Sequence, residues 1–166
     1  MLPYERYKDL VGVPYDDGDR DCYGLARRFY ESVYGLELPN YARSWMFFAQ
    51  NIDIISLFLR DTDFSVVNVS PRNLEPGDGL IMSVSIRDWP KDRANHVGVY
   101  VGNGTILHHP LGKKSCEDYM TDVWAARILS VVRHPDIDQM NAGFLSSRRV
   151  NFSDLLPDHV KRKLAQ

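Results

Sequence analysis

Only two cysteines occur in 166 residues, and neither a Cys-x-x-Cys nor a His-x-x-x-His pair is present. That leaves no disulfide framework and none of the close ligand pairs on which structural zinc sites are built. No apolar run approaches the roughly 20 residues that cross a bilayer. The start, Met1 to Leu10, carries charge where a signal peptide has its apolar segment, so the expectation is a chain that stays in the cytoplasm of the cell that makes it, unless it leaves within a particle. Charge of one sign is also lacking: 20 Lys and Arg stand against 22 Asp and Glu, a net −2, so nothing here asks for a nucleic-acid partner. There is no internal repeat and no low-complexity tract, which excludes a solenoid or a tethered array. What remains, 44% hydrophobic and 25% charged residues, is the composition of a globular domain with a real core.

Against that background one stretch stands out, Asp21-Cys22-Tyr23-Gly24-Leu25. Leu25, Ala26, Phe29, Tyr30 and Val33 recur at helical spacing, so a helix starts here, runs to about Tyr34 and stops at Gly35. Asp21, or the turn before it, can cap that start. Cys22 then lies in the first turn, where unpaired N–H groups and the helix dipole favour an anion. A free thiol, with a pKa of about 8.5, is only slightly ionised at neutral pH; a helix N-terminus and a nearby histidine raise the thiolate fraction. Gly24 lets another backbone segment come close. Read alone, Cys22 is equally a small buried side chain on a helix.

The second stretch runs from Asn95 to His109 and reads as a strand, an Asn103-Gly104 turn and a second strand. His96 opens the first strand and His108 closes the second, and in an antiparallel pair these ends are neighbours. Two imidazoles at one end of a hairpin, with a helix-start cysteine upstream, suggest a thiol–imidazole–imidazole site.

These residues resemble the NlpC-type cell-wall cysteine peptidases, a papain-like family, over roughly residues 5 to 134. Asp21-Cys22-Tyr23-Gly24 is similar to the family's helix start, and His96 to Gly104 to its histidine strand. Gly12-Val13-Pro14-Tyr15 is similar to its entry loop, and Leu74-Glu75-Pro76-Gly77-Asp78 to the turn before its first core strand. The resemblance implies an α+β fold, N-terminal helices packed on an antiparallel sheet. It implies Cys22 as nucleophile, His96 as base and His108 as the orienting third residue, with no cofactor and no metal. Tyr15, Asp21, Tyr23, Trp89 and His109 are the candidate substrate contacts; Trp89 is included because it lies close to His96 in sequence. The implied substrate is a peptidoglycan stem peptide, cut at an amide bond after D-glutamate. Within the family, Tyr23 in place of Ser, the long segment before Leu74 and the doubled His108-His109 are most similar to the peptidase domains of phage tail-assembly proteins. That implies tail-tip or hub proteins as partners, and the host cytoplasm followed by the virion tail tip as location.

The rest of the chain yields expectations of its own. Residues 4–11 read as a short helix. Residues 40–70 read as a helical insertion, with a helix over about 43–60 carried by Trp45, Phe48, Ile52, Ile55 and Leu59; it packs on the core or caps the substrate groove. Strands are expected over 64–69, 80–86 and 127–133. Lys113 to Glu117, with Cys116, reads as a polar loop. The peptidase domain is expected to end at 135. Residues 136–166 then form an extension, with Gly143, Ser146 and Ser147 in a linker, a last helix from Ser153 and a docking role for the basic end. Two other functional classes stay open. One is zinc held by Cys22, His96, His108 and His109, which the missing close ligand pairs disfavour. The other is a structural tail component with a vestigial site.

Overall fold

A computed structural model describes residues 2–41, 54–84 and 90–146. Six antiparallel strands form one sheet: β1 (Ser65–Val67), β2 (Gly79–Met82), β3 (His96–Gly102), β4 (Thr105–His108), β5 (Cys116–Tyr119) and β6 (Ile128–Arg133), in the spatial order β1-β6-β2-β3-β4-β5. Among the described residues four α-helices accompany it: α1 (Cys22–Tyr34), α2 (Ile54–Asp61), α3 (Asp122–Ala125) and α4 (Ile137–Ser146). The architecture is α+β, as the resemblance implies.

Strand alternation divides the core into two layers. Ile81, Val99, Val101, Leu107 and Val132 belong to the layer in which α1 buries Leu25, Ala26, Phe29 and Val33. Phe29 is wholly buried there, and a side chain of that size contributes roughly 1.5–3 kcal/mol on leaving water. Leu80, Met82, Ile106 and Val131 form the second layer under Leu74, with Trp124 packed against it. The histidines belong to this second layer by register: His96 stands opposite Met82, and Gly98 stands opposite both Leu80 and His108.

The hairpin turns as its residues require. Asn103 and Gly104 both have positive φ, 51° and 70°, the pattern of a two-residue turn matched to strand twist. The Leu74–Asp78 turn is pinned from three sides. The Glu75 N–H donates to Asp78 Oδ2 at 2.8 Å, the Gly77 N–H to the Tyr100 carbonyl at 2.8 Å, and Arg133 Nε to Asp78 Oδ1 at 2.7 Å.

Several expectations need correction. Residues 4–11 form two 3₁₀ turns, Tyr4–Arg6 and Lys8–Leu10, rather than one helix. Between them Tyr7 leaves helical geometry (φ −132°, ψ 5°) so that its buried ring meets Phe29 and its hydroxyl donates to Glu117 at 3.0 Å. The strand expected over 80–86 ends at Met82, because the Asn95 side chain takes both the N–H and the carbonyl of Val84, at 2.7 and 2.8 Å. Cys116, expected in a loop, opens β5. Gly143 and Ser146, expected in a linker, lie in α4. Ile137 is fully buried in the α1 layer, with Met140 and Phe144 packed against it, so the boundary expected at 135 falls just before a helix that shares this core. The insertion helix is described over its last part, α2, where Phe58 is buried against Tyr23 and Phe64. Its residues 43–53, Trp89 and the extension beyond 146 lie outside the described residues.

Candidate active site

Asp21 caps α1: its Oδ1 accepts the Gly24 N–H at 2.6 Å, and Cys22 is the first helical residue. At Gly24 a β-carbon would overlap the Asp19 carbonyl, so the loop can fold over the helix start only with glycine there. Cys22 is half-buried and in no disulfide. Burial raises the Tyr15 pKa, and the negative charges of Asp17, Cys22 and Asp21 add to the shift, which puts the phenol within electrostatic reach of the thiol.

The loop that carries Tyr15 is stitched to the strand end opposite. Ser115 Oγ donates to the Leu10 carbonyl at 2.6 Å and accepts the Val13 N–H at 2.8 Å, and two backbone bonds, Gly12 N–H to Ser115 O and Ser115 N–H to Val13 O, complete the seam. The Tyr15 ring consequently meets His109 edge-on, with centroids 5.5 Å apart.

His96 and His108 come together as the hairpin suggests, with one change of register. His108 pairs with Gly98, two residues beyond His96 on the same face. Gly98 has no side chain to stand between them; a β-carbon there would lie 2.9 Å from both Ile106 Cγ2 and Met82 Cε. The rings thus meet on the diagonal, His96 Nε2 to His108 Nδ1 at 2.9 Å, at an interplanar angle of 88°. Both are buried. Burial first, then the neighbouring His108, His109 and Arg127, hold His96 down at about 3. Burial also lowers His108, opposed by Asp118. At neutral pH both imidazoles are therefore uncharged.

His108 has partners that sequence reasoning missed. Its Nε2 lies 3.0 Å from Asp118 Oδ2 and 3.6 Å from Cys116 Sγ, both on β5, and Trp124 packs edge-on against the ring at 4.8 Å. Lys113 to Tyr119 shows no apolar alternation, so nothing in it announces a strand. The available signal was the pairing itself, since any strand added beside β4 places residues against His108. His109 does other work: its Nε2 donates to the Lys113 carbonyl at 3.1 Å. Tyr23 is buried, with its hydroxyl on the Pro39 carbonyl at 2.9 Å and its ring against Tyr41 and Phe58.

Among the described residues, the one group of three or more His, Cys, Asp or Glu side chains close enough to share a metal ion is His108, Cys116 and Asp118. This differs from the Cys22–His96–His108–His109 zinc set weighed from the sequence. No helix among the described residues is long and apolar enough to cross a membrane.

Comparison with known proteins bears on the family and the fold. The family model described as "NlpC/P60 family" matches residues 12–133. The chain is 32% identical over 127 residues to tail tip assembly protein K of Escherichia phage lambda, covering 75% of this chain and 59% of that protein. It is 26% identical over 132 residues to the protein of the same name in Escherichia phage N15, covering 77% and 50%. The chain thus spans little more than half the length of these curated relatives. In structure it is similar to the NlpC/p60 domain of the peptidoglycan hydrolase SagA, with a TM-score of 0.51, 19% identity, and 78% of this chain and 93% of that one covered; at that identity the likeness shows the fold alone.

Proposed function

The chain belongs to the NlpC/P60 family, and from that premise we propose that it is a phage tail-tip-associated cysteine peptidase that cuts an amide bond in the stem peptide of peptidoglycan, after D-glutamate. The observation that carries the reading is the neutral His96–His108 pair, 2.9 Å apart, on the sheet against which α1, with Cys22 as its first residue, packs. An uncharged imidazole is the form that can accept a thiol proton.

The reaction follows from these groups. His96 takes the proton of Cys22 Sγ, and the thiolate attacks the carbonyl carbon of the scissile amide. The oxyanion that forms lies at the helix N-terminus, where the Cys22 N–H and the Tyr15 hydroxyl donate to it; one such donor is worth roughly 10²–10³ in rate. His96 returns its proton to the leaving amine as the C–N bond breaks. Water then attacks the thioester, giving up a proton to His96, and the acid product leaves with the thiol restored. His108 holds the His96 ring through Nε2. Asp21 supports the helix start as its cap, and Tyr23 ties it to Tyr41 and α2.

Incubation with purified peptidoglycan tests this, with released fragments identified by mass spectrometry. Wild type should release stem-peptide fragments with a new terminus after D-glutamate. Cys22→Ala and His96→Ala should release none above background, and Cys22→Ala should melt near the wild-type temperature. His108→Ala should be milder. His109→Ala, whose Nε2 is engaged by a loop carbonyl, should do least. A larger loss from His109→Ala than from His108→Ala would reassign the third residue.

A second reading has its own support, since the phage relatives are named for tail tip assembly. On that reading the chain is a structural tail component and its site is vestigial.

A further inference from the structure

We propose that Asp118 is a positioning residue that sets the tautomers of His108 and His96, and so decides whether His96 can receive the Cys22 proton. The consequence for catalysis rests on the peptidase reading above; the tautomers themselves rest on geometry alone.

The argument is a chain of donors and acceptors. A carboxylate accepts and cannot donate. His108 Nε2 lies 3.0 Å from Asp118 Oδ2, so the His108 proton sits on Nε2. The ring is neutral, so His108 Nδ1 holds the lone pair. That atom is 2.9 Å from His96 Nε2, which must therefore carry its own proton there. A neutral His96 protonated at Nε2 has its lone pair on Nδ1, and Nδ1 is the nitrogen left for Cys22. Asp118 is the one member of this chain unable to exchange roles, so it dictates the rest.

A competitor sits on the same atom. Cys116 Sγ lies 3.6 Å from His108 Nε2. Burial and Asp118 push the Cys116 pKa up, so its S–H is retained. If that S–H supplied the bond to Nε2, the His108 proton would move to Nδ1. His96 would then accept at Nε2 and carry its proton on Nδ1, facing the nucleophile with nothing to accept a proton. A thiol is a weak donor, whereas a bond to an ionised carboxylate is roughly twice as strong as a neutral one. Asp118 prevails while it is present.

Strand register builds this arrangement. Cys116 stands opposite His108 and Asp118 opposite Ile106, so all four residues share one sheet face. Trp124 covers the His108 ring from the side. The Asp118 side chain is 44% exposed, so replacing it removes little packing.

Imidazole nitrogen NMR on histidine-labelled protein at neutral pH reads the tautomers without substrate. Wild type should show both His96 and His108 protonated at Nε2. In Asp118→Ala both rings should move their protons to Nδ1, and alkylation of Cys22 and peptidoglycan hydrolysis should fall by about 10–100-fold, the scale typical of such outer partners, with the loss in kcat rather than KM. Removing the competing donor as well, in Asp118→Ala/Cys116→Ala, should recover part of that rate. Asp118→Glu should keep the wild-type tautomers. A wild-type His108 protonated at Nδ1 overturns the proposal, and so does an Asp118→Ala protein with unchanged tautomers and rate. If Asp118→Ala does not fold, the wild-type assignment and Asp118→Glu decide. Tautomers as expected, with no hydrolysis by wild type, would support the relay and sink the peptidase reading alone.

Discussion

His96 links the site to the stability of the fold. Its folded pKa, about 3, lies below the ordinary 6.5. Above pH 6.5 both the folded and unfolded chains hold it neutral, and its contribution is fully present. Below that, the unfolded chain takes up a proton that the folded one refuses, so stability falls as pH drops from 6.5 toward 3. At pH 5 the loss from this residue is about 2 kcal/mol. Urea midpoints at pH 7.5 and pH 5 should therefore differ more for wild type than for His96→Gln; equal differences would show that His96 does not titrate in this way. The site residues differed in legibility. Cys22, His96 and His108 could be picked out because each ends a periodic element. Asp118 and Ser115 could not, since their importance depends on which strand lies beside them.

At the scale of elements, α4 braces the end of α1 opposite Cys22. Asn141 Nδ2 donates to the Pro76 carbonyl at 2.8 Å, Asn141 Oδ1 accepts from the Tyr34 hydroxyl at 2.9 Å, and the Arg6 guanidinium lies over the Phe144 ring at 4.3 Å. The helix thus ties the Leu74–Asp78 turn to α1. Truncation after Pro135 should cost roughly 3 kcal/mol, from the lost burial of Ile137 and the lost hydrogen bonds. Truncation after Ser146 should leave the melt nearly unchanged. If the two truncations melt alike, α4 is not part of the cooperative unit. Its helical spacing, Ile137, Met140 and Phe144, is easily missed because Gly143 interrupts it. The β3–β4 hairpin was legible for the opposite reason, since alternation and an Asn-Gly turn leave a single register that keeps both histidines on one face.

For the whole molecule, the question is whether catalysis or assembly uses this fold. A phage carrying Cys22→Ala in this chain should assemble normal tails yet fail at wall penetration if the chain is a peptidase. If it is a structural component, the same phage should infect normally, and only deletion of the chain should abolish tails. Plaque counts with electron microscopy separate the two. The segments that would bear on assembly are the 40–70 insertion and the basic end of the chain beyond 146, for which a lid and a docking arm are the proposed roles.

The capped helix with Cys22 at its first position and the hairpin with His96 and His108 were determined by the sequence alone, whereas the α+β class was implied by the family resemblance. The helix and the hairpin depend on local rules: helical spacing, a cap three residues before the N–H it accepts, and strand alternation around an Asn-Gly turn. Contacts between elements distant in sequence decided the remainder. Tyr7 breaks the first helix to reach Phe29 and Glu117, Asn95 ends β2, Ser115 draws the Tyr15 loop to the histidines, and β5 brings Asp118 to His108. In each case a local preference yields to a side chain that can be satisfied only by a partner far along the chain, and that partner's position exists only once the sheet has formed.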